Sequence, residues 1–154
     1  MRLARDQQFR IYALVDGALL HGSSHDTLTP SLGFPVMPEG VTATPGEAKV
    51  LPQLVPLSDL SDAALDRRLR QQWEWARSLH CVTWLASWLD LEALSTALAT
   101  RMTAQLEGGI PVLLRLADAR VLPVLAEVLT EMQRADFLVP MNTWWYCNRA
   151  GELR

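Results

Sequence analysis

The sequence predicts an α/β domain, with helices packed on a largely parallel or mixed sheet of about five strands. Two observations carry that prediction. After residue 50 the pattern alternates strand, helix, strand, helix, strand, helix, strand. The middle strands are apolar on both faces, as strands covered by helices on both sides must be. The length of 154 residues fits a single domain, 1–154, with enough chain to bury a core.

Phe9 to Val15 is rich in β-formers and ends on Asp16-Gly17, a turn signal, so it reads as the first strand. Residues 20–52 read as a Pro/Gly-rich loop. A loop this long in a compact domain is mobile, functional, or hides a short element. Leu54–Leu57 is a short apolar strand. A first helix follows over 61–78, with a stripe of Leu65, Leu69, Trp73 and Ala76. Its acids, Asp59 and Asp62, come early and its arginines late, as the helix dipole favours. Cys81–Ala86 is a buried strand. Asp90 caps a second helix carrying Leu91, Leu94, Leu98, Met102 and Leu106, which Gly108-Gly109 ends. Pro111–Leu116 is the next strand, and Asp118 caps a third helix carrying Leu122, Leu125, Val128, Leu129 and Met132. Pro123 sits deep for a helix start, so either a tight turn precedes the helix or its first turn is strained. Thr143–Asn148 is the last strand, at an edge or antiparallel, closed by a turn at Arg149-Ala150-Gly151.

Composition excludes several functions. A net charge of −3 argues against a general nucleic-acid binder, which is normally basic. No apolar stretch approaches the roughly 20 residues of a membrane helix, and Asp16 interrupts the one N-terminal run that resembles a leader. Cys81 and Cys147 lack metal-type spacing and fall in strands, so reduced thiols and a cytoplasmic location are expected. There is no phosphate loop, Gly-x-Ser-x-Gly elbow or His-Glu-x-x-His motif. His21 and His25 are spaced i, i+4, but in a loop that spacing has no meaning. The one enzymatic arrangement is a carboxylate pair. Asp16 and Asp118 both follow strands and, in a parallel sheet, would share an edge with Arg115, where a divalent metal could join them. The bland reading of the same residues is a turn, a helix cap and an ion pair.

Tryptophan is the unusual component: six, against three phenylalanines and two tyrosines. Trp73 and Trp84 fall at core positions. Trp75 lies roughly 115° from the centre of the leucine stripe at about 100° per residue, on the flank or exposed. Trp88 lies at a strand-to-helix junction. Trp144 and Trp145 are neighbours in a strand and must face opposite sides. Trp75, Trp88 and one of the 144/145 pair are candidate partner contacts, because exposed indoles concentrate at binding hot spots. Arg67, Arg70 and Arg77 share the outer face of the first helix, as a solvated face or a site for an acidic partner.

Five segments, in this order and spacing, resemble one family: YALVDGA at 12–18, LPQLVPL at 51–57, HCVTWLAS then DLEAL at 80–94, PVLLRLADARVLP at 111–123, and W-x-Y followed by Gly151. The family is the effector-chaperone, or adaptor, domain of bacterial type VI secretion, long catalogued as a domain of unknown function. Its genes lie between those of a spike-tip protein and a toxic effector. The sequence departs from the pattern at Leu116, where the family has an aromatic residue, at Ala119, where it has proline, and in its second segment, which is usually helical. Many members also carry a variable C-terminal lobe, which is not expected in a sequence of 154 residues ending at Arg154. The resemblance implies a non-enzymatic protein without cofactor or metal. Its partners would be an effector toxin and a spike-tip protein, with no nucleic acid and no membrane insertion. It also implies that Asp16, Arg115, Asp118, Trp144 and Gly151 are determinants of the fold. The alternative is a small enzyme using Asp16, Arg115 and Asp118.

Overall fold

The computed structural model describes residues 9–22, 33–38 and 40–154. Its elements are β1 (Arg10–Asp16), α1 (Gly17–Gly22), β2 (Phe34–Pro35), a 3-10 turn (Glu47–Val50), β3 (Pro52–Pro56), α2 (Asp62–Leu79) and β4 (Val82–Ser87). Then follow α3 (Leu91–Arg101), β5 (Thr103–Gln105), β6 (Pro111–Leu113), α4 (Val121–Val128), α5 (Glu131–Leu138) and β7 (Thr143–Tyr146).

The main sheet has five strands in the order β2-β3-β1-β4-β7. Every pairing in it is antiparallel, which corrects the parallel or mixed sheet expected from sequence. The reason lies in strand order. β3, α2 and β4 do form a strand-helix-strand crossover, and β3 and β4 run the same way, since each is antiparallel to β1. But β1 sits between them and reverses the direction at both contacts. Two-sided apolarity in a middle strand such as β4 does not mark parallel pairing. It comes instead from layers on both faces of an antiparallel sheet. Tyr12, Leu14, Leu54 and Leu85 face one cluster with Leu94, Leu98 and Met102 of the α3 side. Ala13, Val15, Val82 and Trp84 face a second cluster with Leu20 of α1 and Trp75 and Ala76 of α2. Alternate side chains of one strand therefore feed two separate cores.

Two further expectations are corrected, and the choice left open at Pro123 is decided. The second helix stops at Arg101, and Met102 donates its N–H to Ala99 O. Leu106 and Pro111–Leu113 belong to a separate β5–β6 hairpin. Gly108 and Gly109, with φ of +87° and +77°, make its turn rather than a helix cap; only glycine holds two such angles in succession without strain. The third helix breaks in two at Thr130, whose hydroxyl accepts from Gln133 N while the Gln133 side chain accepts from Thr130 N. This capping box starts α5 afresh. Finally, a tight turn precedes α4, with Asp118 N donating to Arg115 O and Val121 N to Asp118 O. Pro123 thus falls in the first turn of the helix, where its missing N–H has no intrahelical partner to lose.

Residues 20–52 contain more order than a loop. α1 ends within them, β2 pairs with β3, and the 3-10 turn packs against α1 closely enough that Gly17 is required. A Cβ there would fall on the Lys49 carbonyl oxygen and 2.6 Å from that of Leu51. His25 and the rest of 23–32 lie outside the described residues.

Candidate functional site

The carboxylates expected to mark a site do meet, although not through parallel strands. Asp16 ends β1 and caps α1, its Oδ1 accepting from Leu19 N at 2.9 Å. Arg115, in the turn after β6, closes on it in a two-pronged pair, with Nη2 2.9 Å from both oxygens and Nε 3.1 Å from Oδ2. Asp118 is held in the same way by Arg120, whose Nη2 lies 2.7 Å from Oδ2 and Nε 2.8 Å from Oδ1. Asp118 also accepts from Arg120 N, and the N-cap position of α4 belongs to Arg120, so Asp118 shapes the turn before the helix and does not cap it. Both carboxylates are buried while both guanidinium groups reach solvent. Burial works against ionisation of Asp118. The hydrogen bonds and charge of Arg120, aided by Arg115, overcome it and hold the carboxyl below its usual range. Beside them the Cys81 thiol is pushed up to about 12 by burial and by the charge of Asp16. This cluster ties β1, β4 and the α4 turn together: Asp16 N donates to Cys81 O and Ala119 N to His80 O. Among the described residues no group of three or more His, Cys, Asp or Glu is placed to hold a metal ion.

The concave apolar surface lies elsewhere. A groove of about 420 Å³ opens between α2 and the end of the sheet, lined by Ile11, Leu69, Arg70, Trp73, Trp84, Trp145 and Leu153. Trp73 stacks on Trp84 with ring centroids 6.0 Å apart. Trp84 is fixed by Nε1 donating to Gln72 Oε1 at 2.9 Å, which brings Gln72 into the buried face of α2. Leu69 and Leu153 remain 39% and 52% exposed at the rim. On the opposite face of β7 a second hollow of about 170 Å³ is lined by Trp144, Tyr146 and apolar residues of α4 and α5, with Arg134 at its edge. Phe137 stacks on Trp144 at 6.0 Å with nearly parallel rings, and Trp144 Nε1 donates to Thr83 Oγ1.

The sequence-predicted contact residues scatter. Trp145 and Arg70 line the groove. Trp144 faces the other way, as adjacency in a strand requires. Trp75, expected on the flank or exposed, is 6% exposed and part of the core. The buried face of α2 is Gln72, Trp75 and Ala76, so the predicted stripe was rotated, and Leu69 and Trp73 look out into the groove. Trp88 is exposed and packs on Phe9, 6.3 Å between centroids, away from the groove. Arg67 lines a shallow polar depression with Arg68 and Gln71. Arg77 lies over Gly151, whose φ of +77° makes the C-terminal turn. The signal that could have rotated the stripe was Gln72: its buried amide oxygen accepts from the indole N–H of Trp84, a pairing hydrophobic periodicity does not register.

A family model described as Domain of unknown function (DUF4123) matches residues 11–136. The chain belongs to that family. No curated protein and no solved structure matches it. In this DUF4123 domain the match covers β1 to most of α5, and with them the ion-pair cluster. Trp145 and Leu153 lie beyond it. Among the described residues no helix is long and apolar enough to cross a membrane.

Proposed function

We propose that this DUF4123 domain is an adaptor of bacterial type VI secretion. It binds a cognate effector toxin in the cytoplasm, keeps it competent for export and helps mount it on the spike tip. It acts by surface complementarity, without enzymatic turnover, cofactor, metal or nucleic acid. Family membership and the sequence resemblance support this reading, and the observation that carries it is the groove lined by Trp73, Trp84 and Trp145. Indoles supply large contact areas with few rotatable bonds. A concave apolar surface whose one arginine, Arg70, is already paired with Asp66 suits a protein segment better than a charged metabolite. Asp16 and Asp118, each spent on an arginine, serve the architecture.

The test is co-expression with the products of the flanking genes. The expected result is a complex with the effector that survives purification and is lost on Leu69→Glu, a change at an exposed rim position. Failure to form a complex with either neighbour would overturn the proposal. So would turnover that disappears when Asp16 and Asp118 are neutralised.

A further inference from the structure

We infer that the depression along one flank of α2, at Arg67, Arg68 and Gln71, is a docking site for an acidic segment of a partner protein, with carboxylates on either side of an apolar residue. The inference rests on the partner-binding reading above and deepens it.

The helix itself builds the site. Leu60, just before α2, and Ala64, Arg67, Arg68 and Gln71 follow one another at helical spacing and therefore share one side of it. Together they line a hollow of about 430 Å³. Leu69 and Trp73 belong to the other flank, which opens on the tryptophan groove. Gln72, Trp75 and Ala76 lie buried between the two. Arg67 is exposed and Arg68 half-buried, so the stem of Arg68 packs along the hollow while its charged head stays in water.

The state of these two arginines is what points to a partner. Other guanidinium groups of the chain are already committed. Arg70 holds Asp66, Arg115 holds Asp16 and Arg120 holds Asp118, while Arg101 and Arg134 donate to backbone carbonyls. Among the described residues the guanidinium groups of Arg67 and Arg68 have no ion-pair or hydrogen-bond partner, and neither has the side-chain amide of Gln71. No carboxylate is among the described residues that line the hollow. Two like charges on adjacent residues repel, and every donor of both forks is left open. A guanidinium fork takes a carboxylate on two parallel hydrogen bonds, the mode Arg115 and Arg120 show inside this fold. Charge complementarity therefore selects acids at this hollow, although the chain as a whole carries a net charge of −3 and repels them. The apolar part of the lining, Leu60 and Ala64, decides between anions. A free phosphate would leave it bare, whereas a peptide with an apolar side chain between its acids covers it.

The probe is the blocked peptide Glu-Glu-Leu-Glu-Glu, titrated into the intact chain at low salt and followed by the NMR shifts of backbone and side-chain amides. Shifts centred on Ala64 to Gln71, with the Trp145 indole unmoved, are expected, and affinity should fall as salt is raised. Arg67→Ala and Arg68→Ala break no ion pair or side-chain hydrogen bond, so both should melt as the wild type does. Each should weaken binding about threefold and the double variant about tenfold. Replacing the peptide's leucine by serine should cost about threefold, and Gln-Gln-Leu-Gln-Gln should not bind. Arg149→Ala, which removes an exposed arginine outside the hollow, should leave binding unchanged. Wild-type affinity in the double variant, an equal loss in Arg149→Ala, shifts centred on the tryptophan groove, or displacement of the peptide by an equal concentration of inorganic phosphate would overturn the proposal. None of these results bears on effector co-purification or its loss in Leu69→Glu, so the adaptor reading and the acidic-segment site fail separately.

Discussion

Arg115 reaches back 99 positions along the chain to grip Asp16, placing Nη2 2.9 Å from both carboxylate oxygens. The pair is asymmetric, because the carboxylate is buried and the guanidinium is nearly half exposed. Removing the two partners should therefore have unequal costs. Arg115→Met strands a buried charge and should cost about 3 kcal/mol or more. Asp16→Asn leaves an arginine that water can solvate, and should cost about 1–2 kcal/mol through the lost charge and weakened cap. The double variant should be more stable than Arg115→Met alone. Urea denaturation of the three variants checks the order; equal losses would contradict an architectural role for the pair.

Asp118 gives a pH dependence of definite sign. Its folded carboxyl titrates below the ordinary value of 3.8, so the stability it lends is complete above that value and lost as pH falls through the depressed folded one. Wild-type urea midpoints should decline below about pH 4, and Asp118→Asn should start lower but decline less over that range. An identical acid-side slope would refute the assignment.

Cys81 is fully buried, and burial and Asp16 push its thiol up to about 12. Burial also raises Cys147. Neither should react with a thiol reagent at pH 8 in the folded protein, and both should react once urea unfolds it. Prompt labelling of Cys81 in the native state would contradict the packing described.

Gly17→Ala should be among the most damaging single-methyl additions in the chain. The new Cβ collides with backbone oxygens of Lys49 and Leu51, which no side-chain rotation relieves. A loss of at least about 2 kcal/mol is expected in thermal or urea melts, against little change for Gly22→Ala, whose surroundings are open.

Local signals in the sequence proved sound where one interaction decided the outcome. The strand of Tyr12–Val15 is visible in its β-branched and aromatic run. The Asp90 cap is visible too, and its Oδ1 does accept from Ala93 N at 2.9 Å. The pairing of Arg115 with one of the two aspartates was legible as the architectural reading of those three residues, and Asp16 is the one it grips; the part of Arg120, which holds Asp118, was not. What was not legible depended on distant chain. The insertion of β1 between β3 and β4 leaves no trace in either strand's composition, so parallel and antiparallel sheets with both faces covered look alike. The hairpin hid because Leu106 continues the helical spacing of α3 by coincidence. The groove hid because Leu69 and Trp73 look like core until Gln72 is seen to bond Trp84, which turns α2 away from the leucine stripe.

The central claim is that the chain works by holding a protein at the tryptophan groove. It is tested most directly by calorimetric titration of the purified effector into wild type and Leu69→Glu at matched folded fraction. At least a tenfold rise in Kd, about 1.4 kcal/mol, with an unchanged melting curve is the predicted result. Equal affinity of the two proteins for the effector would contradict it.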